Sequence, residues 1–192
     1  MDRSLTVTRK YKHRGQMTMT KISYPSEQFP NPVPFFLDAP DTWEGVHVPH
    51  TLVAVRGPEP VAGFRPNVLV SWQRIAADGK IERLGRKLVE DSSRSYARFT
   101  VEAADDGEVE GLPVFGMRAS VVDDDGLTLQ QKHLLVAGPE TSATSRDLFH
   151  VSGTFHVDDD RGAEAVTAII RSFVVIDPAS LLPTDRGLTP SA

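Results

Sequence analysis

The chain has 192 residues, 40% hydrophobic and 24% charged, with a formal net charge of −5 and no cysteine. That length and composition suit one globular domain with a sizeable core and exclude a chain too polar to fold. The missing cysteine rules out disulfides, thiol nucleophiles, cysteine zinc sites and a diacylglycerol attachment point, and no run approaches the roughly 18 apolar residues of a membrane-spanning helix.

The charge is uneven. Arg3, Arg9, Lys10, Lys12, Arg14 and Lys21 against Asp2 give the first 21 residues +5, so the remaining 171 carry −10. An acidic body argues against nucleic acid as a partner. Residues 1–20 read as a disordered basic leader, with Met17 and Met19 as alternative starts. The leader lacks the apolar run of about 7–15 residues that a secretory signal needs, which points to the cytoplasm.

Pro25, Pro30, Pro32 and Pro34 predict an irregular approach, followed by a short strand at Phe35 to Leu37 and an edge piece in "DTWEGVHV". A strand from Thr51 to Arg56 ends at Gly57-Pro58. "VAGFRPNVLVSWQRI" (61–75) is a turn that feeds an apolar run. Pro66 biases Arg65 toward extended backbone and sets the entry angle. From Val68 onward apolar residues fall on both parities, which predicts a central strand buried on both faces.

Over residues 79–95 the period changes: Ile81, Leu84, Leu88 and Val89 recur at helical spacing, with Gly85 inside the pattern. A strand at Arg98 to Glu102 and an acidic turn at Asp105-Asp106-Gly107 are expected next. Then come a strand at Met117 to Val122, a turn at "DDDG", a return strand in "LTLQQKHLLV" and a polar loop at 138–146. "DLFHVSGTFHV" alternates, with Phe149, Val151, Gly153, Phe155 and Val157 on one side and His150, Ser152, Thr154 and His156 on the other. Asp158 to Asp160 cap a second helix whose apolar stripe is Val166, Ile169, Ile170 and Phe173. Residues 179–192 read as a flexible tail after a single domain at 21–178. The fold class is α+β: an α/β/α sandwich with one twisted, mainly antiparallel sheet of six or seven strands and two main helices.

"APDTWEGV" (39–46), "GFRPNVLVSWQRI" (63–75), the helix that follows and "AVTAIIRSF" (165–173) resemble the actinobacterial LpqN-type lipoprotein family. The resemblance covers residues 24–176 and implies a PsbP-like (Mog-like) sandwich, a fold that hosts binding and assembly proteins. It also implies the cell envelope, although the lipid-anchoring cysteine of that family is missing here. It brings no catalytic residues.

No catalytic motif stands out: there is no Gly-x-Ser-x-Gly elbow, no Gly-x-Gly-x-x-Gly and no phosphate-binding loop. His47 and His50 flank Pro49 in an extended loop and lack further ligands. Asp123 to Asp125 and Asp158 to Asp160 lack the spacing of a calcium loop and read as a turn and a cap. His133 and His150 lie on strands joined by one loop. The register that matches apolar faces sets Leu135 opposite Phe149 and Leu129 opposite Phe155, and it puts the two imidazoles on opposite faces. Trp72 reads as core, while Arg65 is open between an anionic ligand and a local carboxylate.

The expected function is therefore non-enzymatic, without cofactor or metal. It is that of a binding or adaptor protein whose candidate surface is Arg65, His150, Ser152, Thr154 and His156. Its partner would be another protein, or a second copy in a homodimer, and the histidines would make binding sensitive near about pH 6–7. The alternative is a carrier that holds an apolar small molecule between helix and sheet, with Gly85 leaving room beneath the helix at 79–95.

Overall fold

The computed structural model describes residues 31–176, together with the backbone of one short ladder nearer the N-terminus. The chain divides into two compact units, Met1–Asn31 and Pro32–Ala192. Of the first, only an antiparallel pair is described, β1 (Tyr11–Lys12) with β2 (Thr18–Met19). The rest of the expected leader and the whole expected tail lie outside the described residues.

The second unit is built on a seven-stranded antiparallel sheet. Its strands are β4 (Glu44–Gly45), β5 (Val53–Arg56), β6 (Asn67–Ala76), β7 (Arg98–Val109), β8 (Leu112–Val122), β9 (Thr128–Ser142) and β10 (Ser145–His156). Their spatial order is β4-β5-β6-β10-β9-β8-β7. Helix α1 (Ile81–Ser95) packs over β7, β8 and β9, and helix α2 (Asp160–Arg171) packs over β10 and β6. The two helices lie on opposite faces, because the side chains that meet α1 (Phe115, Leu135, Leu148) alternate along their strands with those that meet α2 (Val114, Val136, Phe149). This is the expected α+β sandwich.

The α2 face is dry. Phe149, Val151, Val68, Val70, Val166 and Ile169 are fully buried. A short ladder of β3 (Phe35–Phe36) with β11 (Val174–Val175) closes one end, and Phe35 and Phe173 crowd the Phe149 ring. Gly153 lets α2 descend, since a Cβ there would overlap Val166. Asp147 is fully buried on this face. It accepts the Val33 N–H at 2.8 Å and pairs with the Arg74 guanidinium at 3.0 Å, so the incoming N-terminal segment is held to the sheet by a paired charge. Asp159 caps α2, its side chain accepting from the Gly162 N–H, as the run of three aspartates predicts.

Three local expectations change. β7 does not end at Glu102; it runs to Val109, and the turn is Glu110-Gly111, both at positive φ. β7 is the sheet's edge and exposed almost throughout, so it tolerates Asp105, Asp106 and Gly107, which sequence reasoning assigns to a turn. Accordingly β8 begins five residues before Met117, at Leu112. The polar loop at 138–146 is a two-residue turn between Ser142 and Ser145, with the strands continuing on either side. Between that turn and the body of the sheet the ladder shifts register twice, around Gly138-Pro139 and Thr141. Pro139 has no N–H to donate, and β9 takes up an extra residue at each shift.

That double shift decides the register of β9 and β10. His150 faces Leu135, Ser152 faces His133 and Phe149 faces Val136. His133 and His150 are therefore diagonal neighbours on one face, not residues of opposite faces. The apolar match had little power to decide this, because β9 carries leucine or valine on both parities: Leu129 and Leu135 on one, Leu134 and Val136 on the other.

Candidate functional site

The face shared with α1 has a packed end and an open end. At the packed end Gly85 brings the helix down onto β8, where the Phe115 ring occupies the space a Cβ would take. The room expected beneath Gly85 is filled by that ring. Ile81, Phe115, Met117, Leu135, Ala137 and Leu148 form the buried cluster there. Because the helix is pinned over β8, it leaves the face of β6 and β10 without a covering layer. Asn67, Leu69 and Ser71 of β6 are half-buried, as are His150, Ser152 and Thr154 of β10, although hydrogen-bonded strands flank both β6 and β10.

A chain of polar side chains crosses this face. Tyr96 follows the last turn of α1 with extended backbone and stacks near Phe99. Its Oη receives a hydrogen bond from Gln131 Nε2 at 2.6 Å. Gln131 Oε1 lies 3.2 Å from His133 Nε2, and His133 Nδ1 lies 2.9 Å from His150 Nε2. The two imidazole planes are inclined by 24° with centroids 5.2 Å apart, which fits an in-plane N–H···N bond between the rings.

Burial holds both histidines neutral. His133 falls to about 3, through burial and then the neighbouring His150 charge, and His150 falls to about 4 through burial. For His150 the expected sensitivity near pH 6–7 is thereby corrected, because its ring stays uncharged through that range. Among the described residues no group of three or more His, Asp or Glu is placed to hold a metal, and His47 and His50 are both exposed in their loop.

Of the candidate surface residues, His150, Ser152, Thr154 and His156 do share the α1 face. His156 is buried at its far end, accepting the Asp158 N–H on Nδ1. Arg65 stands apart, at the β4 edge. Its guanidinium reaches Glu44 at 3.2 Å, and Arg56 holds the same carboxylate oxygen at 2.7 Å. Those partners lower the Glu44 pKa, first through the Arg56 hydrogen bond and charge and then through the Arg65 charge. Arg65 touches the polar face only through its carbonyl, which accepts from Asn67 Nδ2; Asn67 is paired with Thr154 across the β6–β10 ladder. Sequence reasoning missed Tyr96 and Gln131, and it set His133 aside on a register that the structure overturns. The spacing of Gln131 and His133, two apart on one strand, already puts them on one face, but only the register links that face to His150.

Two hollows adjoin helices. A groove of about 240 Å³ runs between α1 and β6–β10, with Leu84 and Leu88 on its helical wall, Leu135, Leu148, Ser71 and His150 on the sheet side, and the Lys87–Asp91 ion pair at its rim. On the other face a cleft of about 250 Å³ lies at the C-terminal end of α2, lined by Leu112, Val114, Leu134, Val136, Ile170 and Phe173 among others. Trp72 packs against the α2-side core as expected.

No family model matches the sequence, and no curated protein matches it. Solved structures do. LpqN, involved in cell envelope biogenesis of Mycobacterium tuberculosis, matches with a TM-score of 0.61 at 11% identity over 77% of this chain and 87% of that one. The cyanobacterial PsbP of Synechocystis sp. PCC 6803 matches at 0.54 with 16% identity, over 76% and 93%. PA94 of Pseudomonas aeruginosa, a protein of unknown function described as a putative regulator, matches at 0.54 with 9% identity, over 89% and 98%. At these identities the likeness is one of fold: the chain is similar to LpqN and to PsbP in the sandwich they share.

Proposed function

We propose that the chain is a non-enzymatic binding protein, LpqN-like in its role, that captures a partner protein on the open end of the α1 face. The observation that carries this reading is the central pair β6–β10, flanked by strands yet left half-exposed at Leu69, Ser71, Ser152 and Thr154. A sheet interior without a covering layer is a surface built to be covered. Arg65 and Arg56 would form its charged rim. The involvement of LpqN in envelope biogenesis supports an envelope-associated partner, and no helix of the described residues is long and apolar enough to cross a membrane.

A photo-crosslinking residue at Ser152, compared with one at Arg118 on the opposite face, tests the proposal in the native host. A defined heterologous adduct from position 152, absent from position 118 and lost with Thr154→Arg, is the expected result. An adduct with a second copy of the chain would make this face a homodimer interface. Equal adducts from both positions, or none at 152, would remove the proposal.

The carrier reading extends to the other helix, where the apolar cleft beside α2 favours it. An environment-sensitive apolar dye should brighten with the native chain and stay dark with Val174→Trp, which narrows that cleft. An unchanged signal would exclude it.

A further inference from the structure

The groove beside α1 is lined in part by His150, a ring whose protonation is dictated from Gln131 onward. With Gln131 Nε2 donating to Tyr96, Gln131 Oε1 can only accept, so His133 carries its proton on Nε2. A neutral imidazole has one N–H, so His133 Nδ1 is a lone pair and must receive its bond from His150 Nε2. His150 Nδ1 is then a lone pair as well, and among the described residues nothing donates to it. The depressed pKa values of about 3 and about 4 support one proton on each ring at neutral pH.

We propose that this groove binds a small apolar ring carrying a hydroxyl or N–H donor, which it gives to Nδ1 of His150 while the ring lies between Leu84 and Leu88 of α1 and Leu135 and Leu148 of the sheet. The volume of about 240 Å³ sits below the roughly 300–1,000 Å³ of drug-sized sites, so the ligand is a single-ring molecule. The lining has the composition of a small-molecule site: four leucines supply the burial, and a few polar groups, His150 Nδ1 and the Ser71 hydroxyl, supply the orientation. A carboxylate would fit poorly at the floor, because it cannot donate to the lone pair. The site is a consequence of Gly85 and Phe115, which hold α1 over β8 and leave its Leu84/Leu88 flank standing off β6. The groove adjoins the proposed partner surface and shares Ser71 with it, but ligand binding to the isolated chain requires no partner.

The test uses the full chain with 15N-labelled histidine and phenol as the probe. Long-range 1H–15N correlations should show His150 protonated at Nε2, and phenol should shift the His150 Nδ1 resonance in a saturable way. Anisole, the same ring without a donor, should bind about tenfold more weakly, the worth of one hydrogen bond. Leu88→Trp fills the groove from the helix side without replacing any residue of the Tyr96-to-His150 chain. It should abolish phenol binding while leaving the tautomer as it was. An Nδ1-protonated His150 would overturn the proposal, since reversing the Gln131 amide reverses every bond in the chain. Equal affinities for phenol and anisole, phenol binding that survives Leu88→Trp, or no saturable shift would also overturn it. Cross-linking at Ser152 reads the partner surface separately, so each can fail without the other.

Discussion

The two faces of the sheet solve the same packing problem in opposite ways. On the α2 face the glycine is in the strand: Gly153 gives up its side chain so that Val166 and Ile170 can settle onto β10 and β6. On the α1 face the glycine is in the helix: Gly85 gives up its side chain so that the Phe115 ring can rise into α1. The first device seats the helix over the central strands and seals them. The second seats it over β8, toward the edge, and leaves β6 and β10 bare. The dry face therefore carries the stability, and the half-covered face is free to carry polar groups and a ligand.

If that division is right, the largest losses come from the α2 side. Phe149→Ala removes a fully buried ring that touches both Phe35 and Phe173, and should cost about 4 kcal/mol. Urea unfolding measures it, and a loss below about 2 kcal/mol would mean that the α2 core is softer than its packing implies. Gly85→Ala should cost about 2 kcal/mol, since the Phe115 ring must leave its place or lift the helix, and this outweighs the roughly 1 kcal/mol that alanine gains in helix propensity. A stabilised variant would show that α1 is not pinned there, and with it would go the reason for the groove.

The histidine pair gives an effect conditional on pH. Both pKa values are depressed on folding, so the unfolded chain binds more protons than the native one once the pH drops below about 6.5. Their neutral burial contributes nothing to the pH dependence above that point. Stability then falls as the pH is lowered from about 6.5 toward the native values of about 4 and about 3. The slope approaches about 1.4 kcal/mol per pH unit for each proton taken up. The groups facing the pair are each other, Gln131 and, at the groove rim, Lys87 and Asp91. Urea midpoints at pH 7 and pH 5 should differ for the native chain and differ less for His133→Phe/His150→Phe. Equal differences would place the acid sensitivity elsewhere.

How much of this was legible depends on what each strand had to bury. The alternation of Phe149 to Phe155 was readable because β10 sets an apolar face against α2 and a polar one on the other side, although the strand stops at His156 and leaves Val157 exposed. The two helices were readable from their stripes. β7 was not, because an exposed edge strand buries neither face and has no pattern to show; its Asp105-Asp106-Gly107 looks like a turn. Nor was the meeting of His133 with His150. β9 is apolar on both parities, so no hydrophobic argument could fix its register. The deciding residues, Gly138, Pro139 and Thr141, act by disrupting the ladder near its far end. A site made of side chains from different strands inherits every uncertainty of register, whereas the core tolerates it.

Arg65 is where stability and function can be separated most cleanly. Its guanidinium is partly exposed and shares the Glu44 carboxylate with Arg56, which holds the nearer contact through both Nε and Nη2. Removing Arg65 leaves that stronger pair in place, and exposed ion pairs add little to folding in any case. Arg65→Ala should therefore leave the urea midpoint where it is. Any loss of the Ser152 adduct in that variant would then report on recognition alone and place Arg65 on the partner's footprint. An unchanged adduct would assign Arg65 to the edge ion pair and confine the binding surface to β6 and β10.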